Sequence, residues 1–317
     1  RHTGWLALAT SIYFDKVKIQ ANILGTYAYE TYMQGTNYDE KNQIYLDFKK
    51  IGKHWDEYMP TVILSYQPWM QHDLQFRAFY KRIFRLPTFN EIFYAVIGSG
   101  ISHLRPEYPT QYNVGATYSK TFNRSLISNI RGQVDVYYNE IKDKIVAIPT
   151  SSSYRWTMMN LGMVKIKGAE VSAATQLVWA KGLTTDIHLS YTYQQALDYT
   201  YPELTSSGKH DIRYKRQIPY IPTHSGSAII NTNYKGWGLN YSFIYAGERY
   251  TSSANIIDNY VQAWYTHDLS LTKSFSWQNK DFRISAEINN LFNQQYEVVE
   301  NHPMPGTNFK FTANIIF

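Results

Sequence analysis

The stretch LTTDIHLSYTYQ, residues 183–194, decides the fold. On an extended chain Leu183, Thr185, Ile187, Leu189, Tyr191 and Tyr193 fall on one side. Thr184, Asp186, His188, Ser190, Thr192 and Gln194 fall on the other. Side chains alternate along a strand, so the segment has one apolar, aromatic-rich face and one polar face. Val134, Val136 and Tyr138 alternate in the same way with Gln133, Asp135, Tyr137 and Asn139. So do Phe282, Ile284, Ala286 and Ile288 with Arg283, Ser285 and Glu287. The chain even ends on such a segment, FKFTANIIF (309–317), with Phe309, Phe311, Ala313, Ile315 and Phe317 opposite Lys310, Thr312 and Asn314.

This pattern predicts strands near 4–13, 17–31, 57–68, 72–84, 108–121, 125–139, 160–179, 183–198, 221–234, 237–250, 262–276, 281–291 and 307–317. Helical periodicity is confined to a short turn near Phe89–Ile97. Many of these strands reach the roughly 9–11 residues that a tilted strand needs to cross a bilayer. The links alternate in kind. Tight ones stand at Asp15–Lys16, Gln67–Trp69, Phe122–Arg124, Ala180–Gly182, Lys235–Gly236 and Trp277–Lys280. Longer ones run over about 32–56, 85–107, 140–159, 199–220, 251–261 and 292–306. Short periplasmic turns alternating with larger extracellular loops are the pattern of an outer-membrane barrel. The expectation is an all-β, antiparallel, up-and-down transmembrane β-barrel, with residues 1–317 forming one domain.

Composition agrees. Charged residues make up 18% of the 317, below the roughly 25% of globular domains, whereas tyrosine occurs 29 times. Tyr suits a boundary that is dry at one end and wet at the other. No run of about 18 apolar residues exists, which excludes transmembrane helices and leaves barrels open. The absence of cysteine removes disulfides and thiolate chemistry. Lys and Arg are scattered, so the net charge of +6 forms no basic patch for nucleic acid. Bacterial single-chain barrels have even strand counts. About thirteen strands, an opening Arg1 in place of Met and a first strand that enters from the long-link side predict the C-terminal portion of a larger barrel.

The segment FRLPTFNEIFY (84–94), followed by HLRPE (103–107) and the strand QYNVGATY (111–118), resembles the paired boxes of TonB-dependent outer-membrane receptors. AEINNLFNQQYE (286–297) is similar to that family's box before its last strand. The resemblance implies a 22-stranded barrel around an N-terminal plug; the plug and its energy-coupling box are not in this chain. It implies Phe84, Arg85, Pro87, Leu104, Pro106, Glu107, Asn290, Leu291, Phe292 and Tyr296 as architectural box residues, and Phe317 as a terminal signal for the barrel-assembly machinery. Leu86 stands where Ala is common, and Ser102–His103 replaces an Asn-Pro. Pro87 holds Leu86 extended and ends the strand. Arg105 and Glu107 are available for ion pairs, and Asn289, Asn290 and Asn293 for local backbone hydrogen bonds.

Ligand candidates lie in the predicted long links: His103, Tyr154, Trp156, Met158, Met159, Tyr199, Tyr201, His210 and Tyr250. Each tyrosine has an alternative place in the interfacial girdle. His103, His210 and His302 invite a haem or metal role, but no paired-histidine spacing assembles a metal site, and the reading favoured for each is a polar, solvent-facing residue. No cofactor is expected. Gly98-Ser-Gly100 lacks phosphate-loop spacing, and there is no GxSxG.

The resemblance implies energy-coupled import of a scarce nutrient in the bacterial outer membrane, without bond-making chemistry. The partners implied are the TonB–ExbB–ExbD complex acting through the plug, outer-membrane lipid, the small-molecule nutrient and a surface lipoprotein. The short links and the boxes favour an iron chelate or siderophore, haem or cobalamin. The alternatives are a passive porin, an importer of oligosaccharides of the SusC kind, an outer-membrane enzyme and a soluble carbohydrate-binding β-sandwich.

Overall fold

A computed structural model describes residues 1–39, 44–69, 73–93, 104–123, 125–149, 156–203, 208–278 and 280–316. His103, Tyr154, Gly98–Gly100 and Phe317 lie outside the described residues.

The strands are β1 (His2–Phe14), β2 (Val17–Asp39), β3 (Ile44–Tyr66), β4 (Asp73–Arg82), β5 (Tyr108–Thr121), β6 (Ile127–Pro149), β7 (Trp156–Ala180), β8 (Leu183–Asp198), β9 (His224–Tyr234) and β10 (Trp237–Ala246). The short β11 (Arg249–Tyr250) and β12 (Tyr260–Val261) follow, then β13 (Trp264–Trp277) and β14 (Lys280–Asn289). The short β15 (Glu297–Val299) and β16 (His302–Pro303) precede the closing β17 (Asn308–Ile316). Thirteen of these form one antiparallel sheet in the order β1–β10, β13, β14, β17, each strand pairing with its neighbours in sequence. The sheet is open, with β1 and β17 as its edges. No described helix is long and apolar enough to cross a membrane.

Register explains how two-faced strands become a two-faced wall. Phe309 pairs with Ile288, Ile288 with Leu269, Leu269 with Tyr241, Tyr241 with Ile230 and Ile230 with Ile187. One residue along, Lys310, Glu287, Ser270, Asn240, Asn231, Asp186 and Gln176 form an equally continuous polar row. A slip of one residue would interchange the rows, so the alternation itself specifies the pairing. The polar face binds itself: Arg77 donates to both oxygens of Asp135 at 2.6 and 2.8 Å, Gln133 donates to Asp135 at 2.6 Å, and the Tyr137 hydroxyl donates to Gln194 at 2.8 Å. On the apolar face Val114 is 64% and Val136 56% exposed, which in a bilayer is contact with lipid. Aromatic side chains bracket that face. Phe14, Tyr66, Phe76, Tyr234, Trp237 and Phe275 mark the tight-turn end, and Tyr80, Tyr112, Tyr138 and Tyr193 the long-link end.

The tight turns stand where the sequence predicts them, with Asp15, Gly182, Lys235 and Gly236 at positive φ. The links predicted over 32–56 and 140–159 need correction, because β2, β3, β6 and β7 continue through most of both. Trp156, Met158 and Met159 are therefore strand residues, not loop residues. Beyond the bilayer neither face has to be apolar, so these arms lack the signal that marks the spanning part. In β6 and β7 the pattern also changes phase. Leu161 and Met159 are odd-numbered and Val164 and Ile166 even-numbered, yet all four pack in one cluster with Val146, Ala196 and Ile218. The strand turns over near Asp143, at φ +56°. Further corrections are small: β4 stops at Arg82, before Leu86–Pro87, and Tyr250 belongs to β11.

Candidate functional site

The long-link end carries two built clusters and a cavity. The first box begins as a helix cap. The Thr88 N–H donates to Glu91 Oε2 at 2.7 Å and the Glu91 N–H donates to Thr88 Oγ1 at 3.2 Å, a reciprocal cap for the short helix α1 (Phe89–Phe93). Arg85 donates to Glu91 at 2.9 Å and to Glu107 at 2.7 Å. Glu107, only 3% exposed, also accepts from the Ile145 N–H at 2.5 Å and from Lys144 at 3.2 Å. Burial pushes its carboxyl up, but the hydrogen bonds from Arg85 and Ile145 and the charge of Lys144 outweigh this and hold it below its usual value. Arg105 pairs with Asp143 at 2.7 Å, and Asn160 donates to the Arg105 and Asp143 carbonyls. The two boxes thus latch the β4–β5 link onto the arms of β6 and β7. Phe84 packs on Tyr108, Pro87 accepts from Arg1 through its carbonyl, Leu104 is half-buried and Pro106 is buried. The sequence signal for Glu91, which the boxes alone do not single out, is its Thr-x-x-Glu spacing.

The last box is held by Asn290, buried and at φ +52°. Its amide donates to the Gln294 and Pro305 carbonyls, its Oδ1 accepts from the Gln294 N–H, and its N–H donates to Asp268. Leu291 donates to the His267 carbonyl, Phe292 meets the His267 ring edge-on and Tyr296 stacks on Trp264. Asn293 Oδ1 accepts from Thr307, whereas Asn289 bonds the Asn308 side chain and not backbone. Arg249, 3% exposed, donates to the carbonyls of Gly247, Gln262, Glu297 and Val298, tying two links together with no carboxylate partner among the described residues. Burial lowers its pKa.

Between the β6–β7 arms and the later links lies a cavity of about 380 Å³, within the size range of small-ligand sites. Val146, Ile148, Met159 and Leu161 form its apolar wall; Arg213, Ser252, Ser253 and Glu300 bring polar groups. Arg213 is braced by Asp211, at 2.8 and 2.9 Å, and lies over the Tyr201 ring. The Arg213 hydrogen bonds hold the Asp211 carboxyl down at about 2. Such a site, apolar on one side and polar on the other, suits a small amphipathic ligand.

The sequence candidates divide around it. Met159 lines the cavity, Tyr201 reaches it through Arg213, and Tyr250 adjoins its Thr251–Ser253 wall. Met158 is the neighbour of Met159 on the opposite side of the strand, and Trp156 pairs with Pro149. Tyr199 and His210 both pack on Tyr214, and Tyr199 lies beneath Lys165, away from the cavity. His302 bonds the Glu300 carbonyl. Arg213 and Tyr214 escape a reading from motifs; the Asp-x-Arg spacing is their only local sign. Among the described residues, no three His, Asp or Glu side chains converge to hold a metal.

Residues 4–291 match the family model described as TonB-dependent receptor-like β-barrel. The vitamin B12 transporter BtuB of Vibrio vulnificus (strain YJ016) is 24% identical over 215 residues, 68% of this chain and 29% of that protein. Among solved structures, the copper transporter OprC superposes with a TM-score of 0.67 at 14% identity, over 98% of this chain and 48% of that one. The siderophore receptor PiuA from Acinetobacter baumannii gives 0.66 at 15%, over 99% and 42%. The chain spans less than half the length of these proteins.

Proposed function

Because the chain belongs to the TonB-dependent receptor-like β-barrel family and so to the bacterial outer membrane, we propose that it is the barrel wall of an energy-coupled importer. Its cargo is a compact chelate or cofactor: a ferric siderophore, haem or a cobalamin. A plug supplied elsewhere in the protein fills the lumen, and an inner-membrane TonB–ExbB–ExbD complex drives its movement. The barrel encloses, selects and performs no chemistry on the cargo.

The observation that carries this reading is the family match across nearly the whole sheet. The cavity beside Arg213 supports a small amphipathic ligand entering from the long-link side. We assign ligand contact to Met159, Tyr201 and Arg213, with Trp156, Met158 and Tyr250 as neighbours in the chain or fold to test, and His103 and Tyr154 as further candidates from the sequence alone; the box residues are structural.

The test is uptake in a strain lacking the gene, with radiolabelled ferric siderophores, haem and cobalamin, in the presence and absence of a working TonB complex. Loss of one of these, and equal loss without TonB, is expected. Uptake that persists without TonB would indicate a passive pore, and failure of oligosaccharide uptake alone would replace the cargo.

A further inference from the structure

The polar side of the cavity between the β6–β7 arms and the later links decides what it can hold. Arg213 gives Nε and Nη2 to Asp211 at 2.8 and 2.9 Å, and Asp198 places a second negative charge near it. Its third nitrogen, Nη1, donates to no group among the described residues. Glu300 lines the same cavity in the reverse condition. It is half-buried, and its carboxylate makes no ion pair and accepts no hydrogen bond among the described residues, whereas its backbone carbonyl accepts from His302 at 2.9 Å. Arg249, the buried cation of a neighbouring link, donates to carbonyls and not to Glu300. Thr251 and Ser253, 7% and 6% exposed, also line the cavity, and neither hydroxyl bonds another group among the described residues. Buried hydroxyls are ordinarily bonded, so two open ones in one wall mark positions that a ligand's polar atoms would fill.

One apolar wall, a guanidinium already answered by carboxylates, a carboxylate answered by no cation and two open hydroxyls are together complementary to an amine. We propose that the cavity binds a compact amphipathic ligand bearing a protonated amine. The ammonium donates to Glu300, and an oxygen of the same ligand accepts from Arg213 Nη1. Thr251 and Ser253 bond its remaining polar atoms, and its apolar body lies on Val146, Ile148, Met159 and Leu161. A hydrogen bond between an ammonium and a carboxylate is about twice as strong as a neutral one, so the amine sets the selectivity. A purely anionic ligand is disfavoured, because it would face Glu300 and find Arg213 already shared with Asp211. That this ligand is the cargo rests on the importer reading; the preference of the cavity for an amine does not.

The test uses the intact receptor purified from the outer membrane in mild detergent, with binding measured by calorimetry. The probes are ω-aminocarboxylates of four to eight carbons, each beside its N-acetyl derivative, which keeps the chain and the carboxylate but removes the charge of the amine. At the chain length that fits, the free amine is expected to bind roughly tenfold to a hundredfold more tightly than its acetylated partner. Glu300→Gln is expected to bind the two alike, and Ile148→Trp, which fills the cavity from its apolar wall, to bind neither. Heat-modified gel mobility checks that each variant is a folded barrel. Equal binding of amine and acetylated amine by wild type would overturn the proposal. So would an unchanged preference in Glu300→Gln, or no binding at any chain length. Because the measurement involves neither transport nor TonB, failed uptake would strike the cargo reading alone, and normal uptake without amine preference would strike this proposal alone.

Discussion

Replacing Glu107 with alanine should unlatch the β4–β5 link from the arms above the membrane. The carboxylate is buried and accepts three hydrogen bonds, from Arg85, Lys144 and the Ile145 N–H. Removing it leaves the Ile145 N–H buried without an acceptor, which costs about 1–2 kcal/mol. Arg85 keeps Glu91 and is about one-third exposed, and Lys144 is also partly solvated, so their lost pairing is discounted to about 1 kcal/mol. The total, about 2–3 kcal/mol, corresponds to a roughly 30- to 150-fold faster opening of the latch. Hydrogen–deuterium exchange of the Ile145 and Arg85 amides reads this directly, since Arg85 and Glu107 also exchange backbone hydrogen bonds at 3.0 and 2.9 Å. Glu107→Gln, which keeps an acceptor for Ile145, should recover about half of the effect. Exchange within threefold of wild type in the alanine variant would refute the latch. The pH dependence has a definite sign. The native carboxyl titrates below its ordinary value of 4.5, so its contribution is complete above that value and disappears as the pH falls through the lower native value. Protection of Ile145 should therefore hold at neutral pH and fail only in acid.

Gly168→Val should impair barrel assembly, because a Cβ there would collide with the Tyr193 carbonyl and the Tyr137 ring, whereas Gly132→Ala, with nothing within 4 Å, should be silent; heat-modified gel mobility separates them. Asn290→Ala removes two amide donations and one accepted bond and strains a position at φ +52°, lowering the stability of the last link by about 2–4 kcal/mol. Limited proteolysis around residues 290–307 should show it. Arg213→Glu should reduce cargo binding at least tenfold, measured on whole cells, while leaving the amount of barrel in the membrane unchanged. Normal binding by that variant would remove Arg213 from the ligand site.

Legibility in the sequence followed the bilayer. The predicted bounds of β5 and β8 coincide with the observed Tyr108–Thr121 and Leu183–Asp198. Across these strands one face meets hydrocarbon and the other water, so alternation is imposed on every residue. Above the membrane that demand stops. Residues 140–149 carry Lys142, Asp143 and Lys144 in a row and change phase at Asp143; they and residues 156–159 read as a loop although they are strands. The boxes were legible as landmarks, but Glu91 and Arg85 become a single device only once Glu107 arrives from 22 residues away and Ile145 from another hairpin.

The sequence by itself determined the fold class, the strand order implied by alternating links, the face each strand turns to lipid and the family. The first three depend on a period of two that is visible locally, and the family on the boxes at 84–94, 103–107 and 286–297. The tertiary structure alone decided which side chains meet: that Met159 lines a cavity with Arg213 and Ser252, and that Tyr199 packs on Tyr214 and beneath Lys165 instead of lining that cavity. These juxtapositions come from register and from links that fold back over the rim. In FKFTANIIF, likewise, the sequence sorts the two faces, but only the sheet seats Phe309 on Ile288 and Lys310 on Glu287.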